Sequence, residues 1–360
     1  MKKILVICPY PKDTTAGQRL KYEQYLADWE ANGYEVEMSP FMSDKMWQIV
    51  YKKGYTLRKI GGTLLGFLKR TRDIFRLKNY DLIYVFMYVT PLGDAFYEKI
   101  FRKQSKKMIF DLEDNRFIGT NMERKSLAQR MRGAAKTEFL VKTADHVISS
   151  SPALNDICLQ LNDYKQSTYI SSSIDTDRFV PSNPYRNDRK VTIGWTGTFS
   201  TRQYLDLLRP VFIELKKWRD FRLIVIGDFE YEFPEMDLEV IQWTAQNEVA
   251  DLQKLDIGVY PLSIDEWVIG KSGLKAIQYM AFGLPCVATD VSTVQQFIVD
   301  GENGFLVKTD DQWITTLTEL IDSPSLRKRV GENARQTVLE KFSKHVVKKK
   351  YLSILAKTTK

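Results

Sequence analysis

Apolar residues along this chain alternate between two patterns. Short continuous apolar runs read as buried strands, and between them apolar positions recur three and four residues apart, as on one face of a helix. Ile4–Cys8 is the first run, punctuated by Pro9, Pro11 and Gly17. Leu20, Tyr22, Tyr25, Leu26 and Trp29 then follow at helical spacing, Gly33 closes that helix, and Tyr34–Met38 alternates as a second strand. Asp81–Val89, Lys107–Leu112 and Ala144–Ser150 read as further strands, with helices predicted over Pro91–Phe101 and from Pro152 onward. Apolar strands alternating with helices predict a parallel sheet covered on both faces.

Between Ser173 and Lys190 the chain turns polar, with two prolines, two asparagines and few aliphatic residues, and this stretch reads as a linker. A second alternation follows. It predicts strands at Val191–Trp195, Phe221–Ile226, Glu239–Trp243, Asp256–Tyr260 and Pro285–Thr289, and helices at Tyr204–Lys217, Glu248–Lys254 and Gly273–Phe282. From Asp310 the pattern is helical, with Trp313, Leu317 and Leu320 on one face. The expected division is an N-terminal domain over 1–182 and a C-terminal domain over 183–344, with the helix 345–360 packing back on the first. Two such halves imply a cleft, with ligands outside the carboxyl ends of the strands.

Length and composition agree with this picture: 360 residues suit two domains of about 150 each. A chain 44% hydrophobic and 27% charged is neither disordered nor a disulfide scaffold. Cys8, Cys158 and Cys286 are far apart and lie in apolar runs, which predicts buried reduced thiols. With His146 and His345 as the only histidines, the sequence argues against histidine metal clusters and His-based triads. MKKILVICPYPKD lacks a long apolar region and a small-residue cleavage site, so it reads as a strand rather than a signal peptide, and the expected location is cytoplasmic.

Charge adds one local feature. The formal excess is +8, and residues 41–80 carry ten basic residues against two acidic ones, so the whole excess arises there. Apolar residues such as Trp47, Leu57, Ile60, Leu64 and Leu68 interleave with these cations, and Gly54, Gly61 and Gly62 are expected to break the stretch into short helices. A basic amphipathic surface of this kind suits an anionic membrane, on whose inner face the protein would rest, and does not suggest nucleic acid; an ordinary solvated crossover is the competing reading.

Candidate chemistry lies in Asp256–Asp290. Gly270, Lys271, Ser272 and Gly273 stand where a polar loop turns into a helix, so that the free N–H groups there, Leu274 included, and the helix dipole suit a phosphate group. Lys271 and Lys275 are four apart and are expected on one helix face, beside a diphosphate, with Gln278 further along to meet sugar hydroxyls. A P-loop would need glycine five positions before Gly270, where this chain has Asp265. Two lysines solvated on a helix, beside glycines that only make a turn, is the competing reading.

The run Gln278-Tyr279-Met280-Ala281-Phe282-Gly283-Leu284-Pro285 resembles the signature helix end of the retaining glycosyltransferases of family 4. Ile170–Pro181, Ile193–Leu208, Ile298–Val307 and Leu326–Ser343 match that family in order. The resemblance implies an α/β GT-B fold, two Rossmann-like doubly wound parallel-sheet domains facing across a cleft. It also implies metal-independent transfer of a sugar, with retained configuration, from a UDP- or GDP-linked donor and no further cofactor. The expected acceptor is a glycan, lipid-linked, in bacterial surface polysaccharide or lipopolysaccharide biosynthesis.

Carried over residue by residue, the resemblance places Gly17 after the first strand, Thr198 and Arg202 after the first C-domain strand, and Trp243 beside the base of the nucleotide. Two departures stand out: the family's paired motif glutamates fall at Gly270 and Gln278. Lys271 and Lys275 then replace the family's diphosphate-binding Arg and Lys, and Asp265 or Glu266 is expected to supply the missing carboxylate. Glu113 occupies the place of a histidine found in many members. Asp175 and Asp177 form an Asp-x-Asp, but in the linker motif. A catalytically degenerate sugar-nucleotide-binding subunit and a GT-B sugar-nucleotide epimerase are the alternatives.

Overall fold

Two parallel sheets of six strands each organise the chain in the computed structural model, which describes residues 1–114, 133–182, 190–264, 268, 270–291 and 293–360. Met1–Ser172 and Val347–Lys360, together with Gly270, Lys271 and Ser272, form one compact unit. Ser173–Val268 and Gly273–Val346 form the other.

In the first unit the strands are β1 (Lys2–Cys8), β2 (Tyr34–Pro40), β3 (Leu82–Phe86), β4 (Met108–Leu112), β5 (His146–Ser149) and β6 (Ser167–Tyr169), in the order β2-β1-β3-β4-β5-β6. β3, β4 and β5 are buried along their whole length, as continuous apolar runs require when helices cover both faces. β2, at the edge, alternates because one side of it meets water. The pleat divides β1 between two cores. Ile4, Val6 and Cys8 pack with Tyr22, Trp29 and Tyr351, while Leu5 and Ile7 pack with Phe101, Leu140 and Leu154. Tyr351 comes from the last helix, Lys344–Thr358, and its ring lies 5.0 Å from Tyr25 and 5.9 Å from Trp29.

The second unit contains β7 (Val191–Gly197), β8 (Phe221–Gly227), β9 (Leu238–Gln242), β10 (Ile257–Tyr260), β11 (Cys286–Thr289) and β12 (Phe305–Val307), in the order β12-β11-β10-β7-β8-β9. Trp195, Phe212, Leu215, Val225, Trp313 and Leu317 anchor its core.

Several elements differ from their sequence expectation for local reasons. The strand expected over Asp81–Val89 stops at Phe86 because Met87 takes a left-handed backbone, φ 65°. The helix expected over Tyr204–Lys217 divides into Arg202–Asp206 and Arg209–Lys216, where Pro210 lacks the N–H that a continuous helix needs. Gly54 does separate two helices, Asp44–Val50 and Thr56–Ile74. Gly61 and Gly62, expected to break the basic stretch, instead lie inside the nineteen-residue helix. A Cβ at Gly62 would lie 2.8 Å from Met46 Sδ, and one at Gly66 would lie 2.5 Å from the Phe41 ring, so these glycines allow the helix to pass close to its neighbours.

All three cysteines are free and buried, and burial pushes the Cys8 and Cys158 thiols up to about 12. Among the described residues no helix is long and apolar enough to cross a membrane, and no group of three or more His, Cys, Asp and Glu side chains is placed to hold a metal ion.

Candidate functional site

Parallel sheets end all their strands on one side, and in the second unit Thr198 follows β7 and Trp243 follows β9 at those ends. In the second unit, β7 runs into a turn in which Thr198 and Thr201 cap each other reciprocally. The Phe199 N–H donates to Asp228 Oδ1 at 2.8 Å, which ties this turn to the end of β8, and the Trp243 N–H donates to Gly227 O at 2.8 Å, which ties the end of β9 to the same place. Trp243 is half-buried there. Arg202 is half-buried, 3.6 Å from Asp206, with its guanidinium 6.0 Å from the Phe199 ring.

The helix Leu274–Ala281 starts beside this turn. Gly273 caps it with φ 73°, a left-handed conformation that glycine adopts without strain, and a Cβ there would lie 2.8 Å from the Phe297 ring. Glycine is therefore required twice, by conformation and by space. Lys275 lies in the first turn of the helix. Its Nζ donates to Thr201 Oγ1 at 3.2 Å and sits 4.9 Å from the centre of the Trp195 ring, which fixes the ammonium at the carboxyl ends of β7 and β10. Gln278, one turn further on, is buried and donates from Nε2 to Glu248 Oε1 at 3.3 Å.

Lys271 is not on that helix, contrary to the expectation of a shared face with Lys275, because the helix begins only at Leu274. Gly270, Lys271 and Ser272 group with the first unit. The Ser150 hydroxyl donates to Gly270 O at 3.0 Å, the Ser171 hydroxyl donates to Ser272 O at 3.1 Å, and Lys271 Nζ lies 3.2 Å from Asp114 Oδ1. Asp265 and Glu266 lie outside the described residues.

Glu113 follows β4 in the first unit, 3.1 Å from the Nζ of Lys21. Lys21 is wholly buried. It also contacts Asp111, and the Tyr84 hydroxyl donates to the other oxygen of that carboxylate. Burial alone would lower the Lys21 ammonium, but the two carboxylates outweigh it and hold it above its ordinary value. Burial raises the Glu113 carboxyl, and Lys21 offsets part of that rise. Gly17 lies on a short helix, Ala16–Arg19, with open space where a Cβ would stand. His146 is buried against Thr168 Oγ1 at 2.9 Å, while Asp175 and Asp177 lie beside Lys344 and His345.

Lys21 and Glu248 escape sequence reasoning. Lys21 reads as one polar residue between the apolar Leu20 and Tyr22, with no motif around it. Glu248 carries no motif and meets Gln278 only through the packing of two helices.

Residues 190–323 match the family described as Glycosyl transferases group 1. The chain is 27% identical over 175 residues to the capsular polysaccharide biosynthesis glycosyltransferase CapM of Staphylococcus aureus, an alignment covering 45% of this chain and 44% of that protein. The chain thus spans less than half of that relative. Among solved structures, the sucrose-phosphate synthase of Thermosynechococcus elongatus superposes with a TM-score of 0.71 at 15% identity, covering 99% of both chains. Anabaena HepE in complex with UDP-glucose superposes with a TM-score of 0.69 at 13% identity, covering 99% of this chain and 100% of that one. At such identities the likeness establishes the fold, which is GT-B.

Proposed function

We propose, from the group 1 match over the second unit, that the protein is a retaining glycosyltransferase. It moves a sugar from a nucleotide diphosphate to an acceptor glycan, lipid-linked, in surface polysaccharide biosynthesis. The observation that carries this reading is the placement of Lys275 and the Gly273 helix start beside the Thr198–Thr201 turn, within the matched residues. A diphosphate held there meets an ammonium and the positive end of a helix, both fixed before it arrives. Such preorganised charge stabilises the negative charge that develops on a departing nucleotide. Gln278, held by Glu248, offers its amide to the ribose, and Trp243 offers its ring to the base. The departing diphosphate assists removal of the acceptor's proton, so transfer needs neither a histidine nor a metal. The capsular role printed for CapM supports the acceptor class.

A catalytically degenerate sugar-nucleotide-binding subunit is favoured by one observation, the replacement of both motif glutamates by Gly270 and Gln278. One experiment separates the two readings. A thermal-shift panel of UDP, GDP, ADP and their sugars identifies the donor, since a ligand at roughly 100 times its dissociation constant stabilises by about 2.7 kcal/mol. Slow hydrolysis of that donor by the purified protein then marks an active transferase, and Lys275→Ala and Lys271→Ala should each abolish it. Donor binding without hydrolysis would favour the binding subunit; hydrolysis unchanged by Lys275→Ala would refute the assigned site.

A further inference from the structure

The helix Thr56–Ile74 packs Phe67 and Ile74 against the fold, yet it also buries polar residues and leaves an apolar row outside. Toward the protein it turns Gly62, Gly66, Arg70 and Asp73, the last two being 0% and 1% exposed. The Arg70 guanidinium donates to Val89 O at 2.7 Å, to Cys8 O at 3.0 Å and to Ser39 Oγ at 3.0 Å, and pairs with Asp73 at 3.1 Å, so this polar face is satisfied inside the fold. Toward solvent it turns Leu57, Ile60, Leu64 and Leu68, which are 52–85% exposed. At roughly 100° per residue these four fall within an arc of about 80°. Leu65, and Phe75 just past the helix end, extend the exposed apolar surface.

Cations flank this row. Arg58 and Arg72 are exposed on the helix, and Lys52 and Lys53 are exposed in the turn before it. Of the two acidic residues in 41–80, Asp73 is buried, so little negative charge offsets them. A groove of about 460 Å³ opens along the helix, lined by Lys59, Ile60, Leu64, Phe67 and Leu92 among others. A contiguous apolar row of this kind marks a surface that meets a partner. The partner must accept leucines and carry negative charge together. Nucleic acid does not use the leucines, and a second copy of the chain would set like charges against each other.

We infer that the helix Thr56–Ile74 docks on an anionic lipid bilayer. It lies in the plane of the interface, its leucines among the acyl chains and its cations at the lipid phosphates. The inference rests on the proposed transfer reaction for its purpose, which is to bring the first unit to a lipid-linked acceptor. Its physics is independent of that reaction.

The test is co-sedimentation of the full chain, without nucleotide, with vesicles of phosphatidylcholine alone or of phosphatidylcholine containing phosphatidylglycerol, at low and high salt. The protein should sediment with the anionic vesicles at low salt. Leu64→Ser/Leu68→Ser and Arg58→Gln/Arg72→Gln should each weaken binding about tenfold. Because all four positions are exposed, the variants should keep the wild-type melting temperature and the donor-induced thermal shift, which separates failure here from failure of the transferase reading. The inference is overturned if the wild type ignores anionic vesicles, sediments equally with neutral ones, or binds them equally after the leucine substitutions. It is also overturned if light scattering without lipid shows a dimer that those substitutions dissociate.

Discussion

Gln278 Nε2 donates to Glu248 Oε1 at 3.3 Å in the second unit, with the two residues only 5% and 2% exposed. The family resemblance expects glutamate at 278. Glutamine suits the position because its amide donates to the buried Glu248 carboxylate, whereas a carboxylate at 278 could not donate and would set two acidic groups side by side.

Restoring the family residue should therefore harm this protein. Gln278→Glu is expected to destabilise by about 2–4 kcal/mol, from the lost hydrogen bond and from a second carboxylate placed against a buried one. Glu248→Gln in the same chain should restore most of that loss, because the donor and acceptor merely exchange sides. Urea unfolding of the two single variants and the double variant gives the coupling directly, and additive losses would contradict the pairing.

The same substitution should act in opposite directions within one helix. Gly61→Ala adds a methyl group where nothing lies within 4 Å, and is expected to stabilise by about 0.4–1 kcal/mol through lower entropy of the unfolded chain. Gly66→Ala places its Cβ 2.5 Å from the Phe41 ring and should destabilise by about 1–3 kcal/mol. Thermal unfolding of both variants checks the pair.

Stability should fall in acid through His146. Burial, aided by the charge of Lys357, lowers its imidazole from 6.5 to about 4. Between those values the unfolded chain binds a proton that the folded protein does not. This contribution is complete above pH 6.5 and is lost as pH falls toward 4, amounting to about 3 kcal/mol at most. His146→Gln should flatten that part of the pH–stability curve, measured by urea unfolding at intervals from pH 7 to 4. An unchanged slope would show that other groups dominate the range.

Much of the fold was legible because it depends on local pattern. Buried parallel strands must be apolar throughout, and ten of the twelve strands among the described residues carry such runs or clear alternation. β6 and β12, three residues each, are too short for a period to register. The turn at Gly273 was equally visible, since a left-handed residue before a helix calls for glycine. Helix interruptions were harder to read: Gly61 and Gly62 look like breaks, yet both lie inside one helix, where Met46 packs against Gly62 and Phe41 against Gly66.

By itself, the sequence determined the two α/β halves, the glycine-capped helix start that precedes Lys275, and the concentration of charge between residues 41 and 80. Those features follow from neighbours along the chain, through periodicity, caps and local composition. Only the tertiary structure decided that Lys21 is buried between Asp111 and Glu113, that Gln278 answers Glu248, and that Lys271 stands off the helix carrying Lys275. It alone showed that the leucines of Thr56–Ile74 face outward while Arg70 and Asp73 face in. The physical reason is common to all four: each depends on which side of an element meets protein, and periodicity identifies a face without saying what covers it.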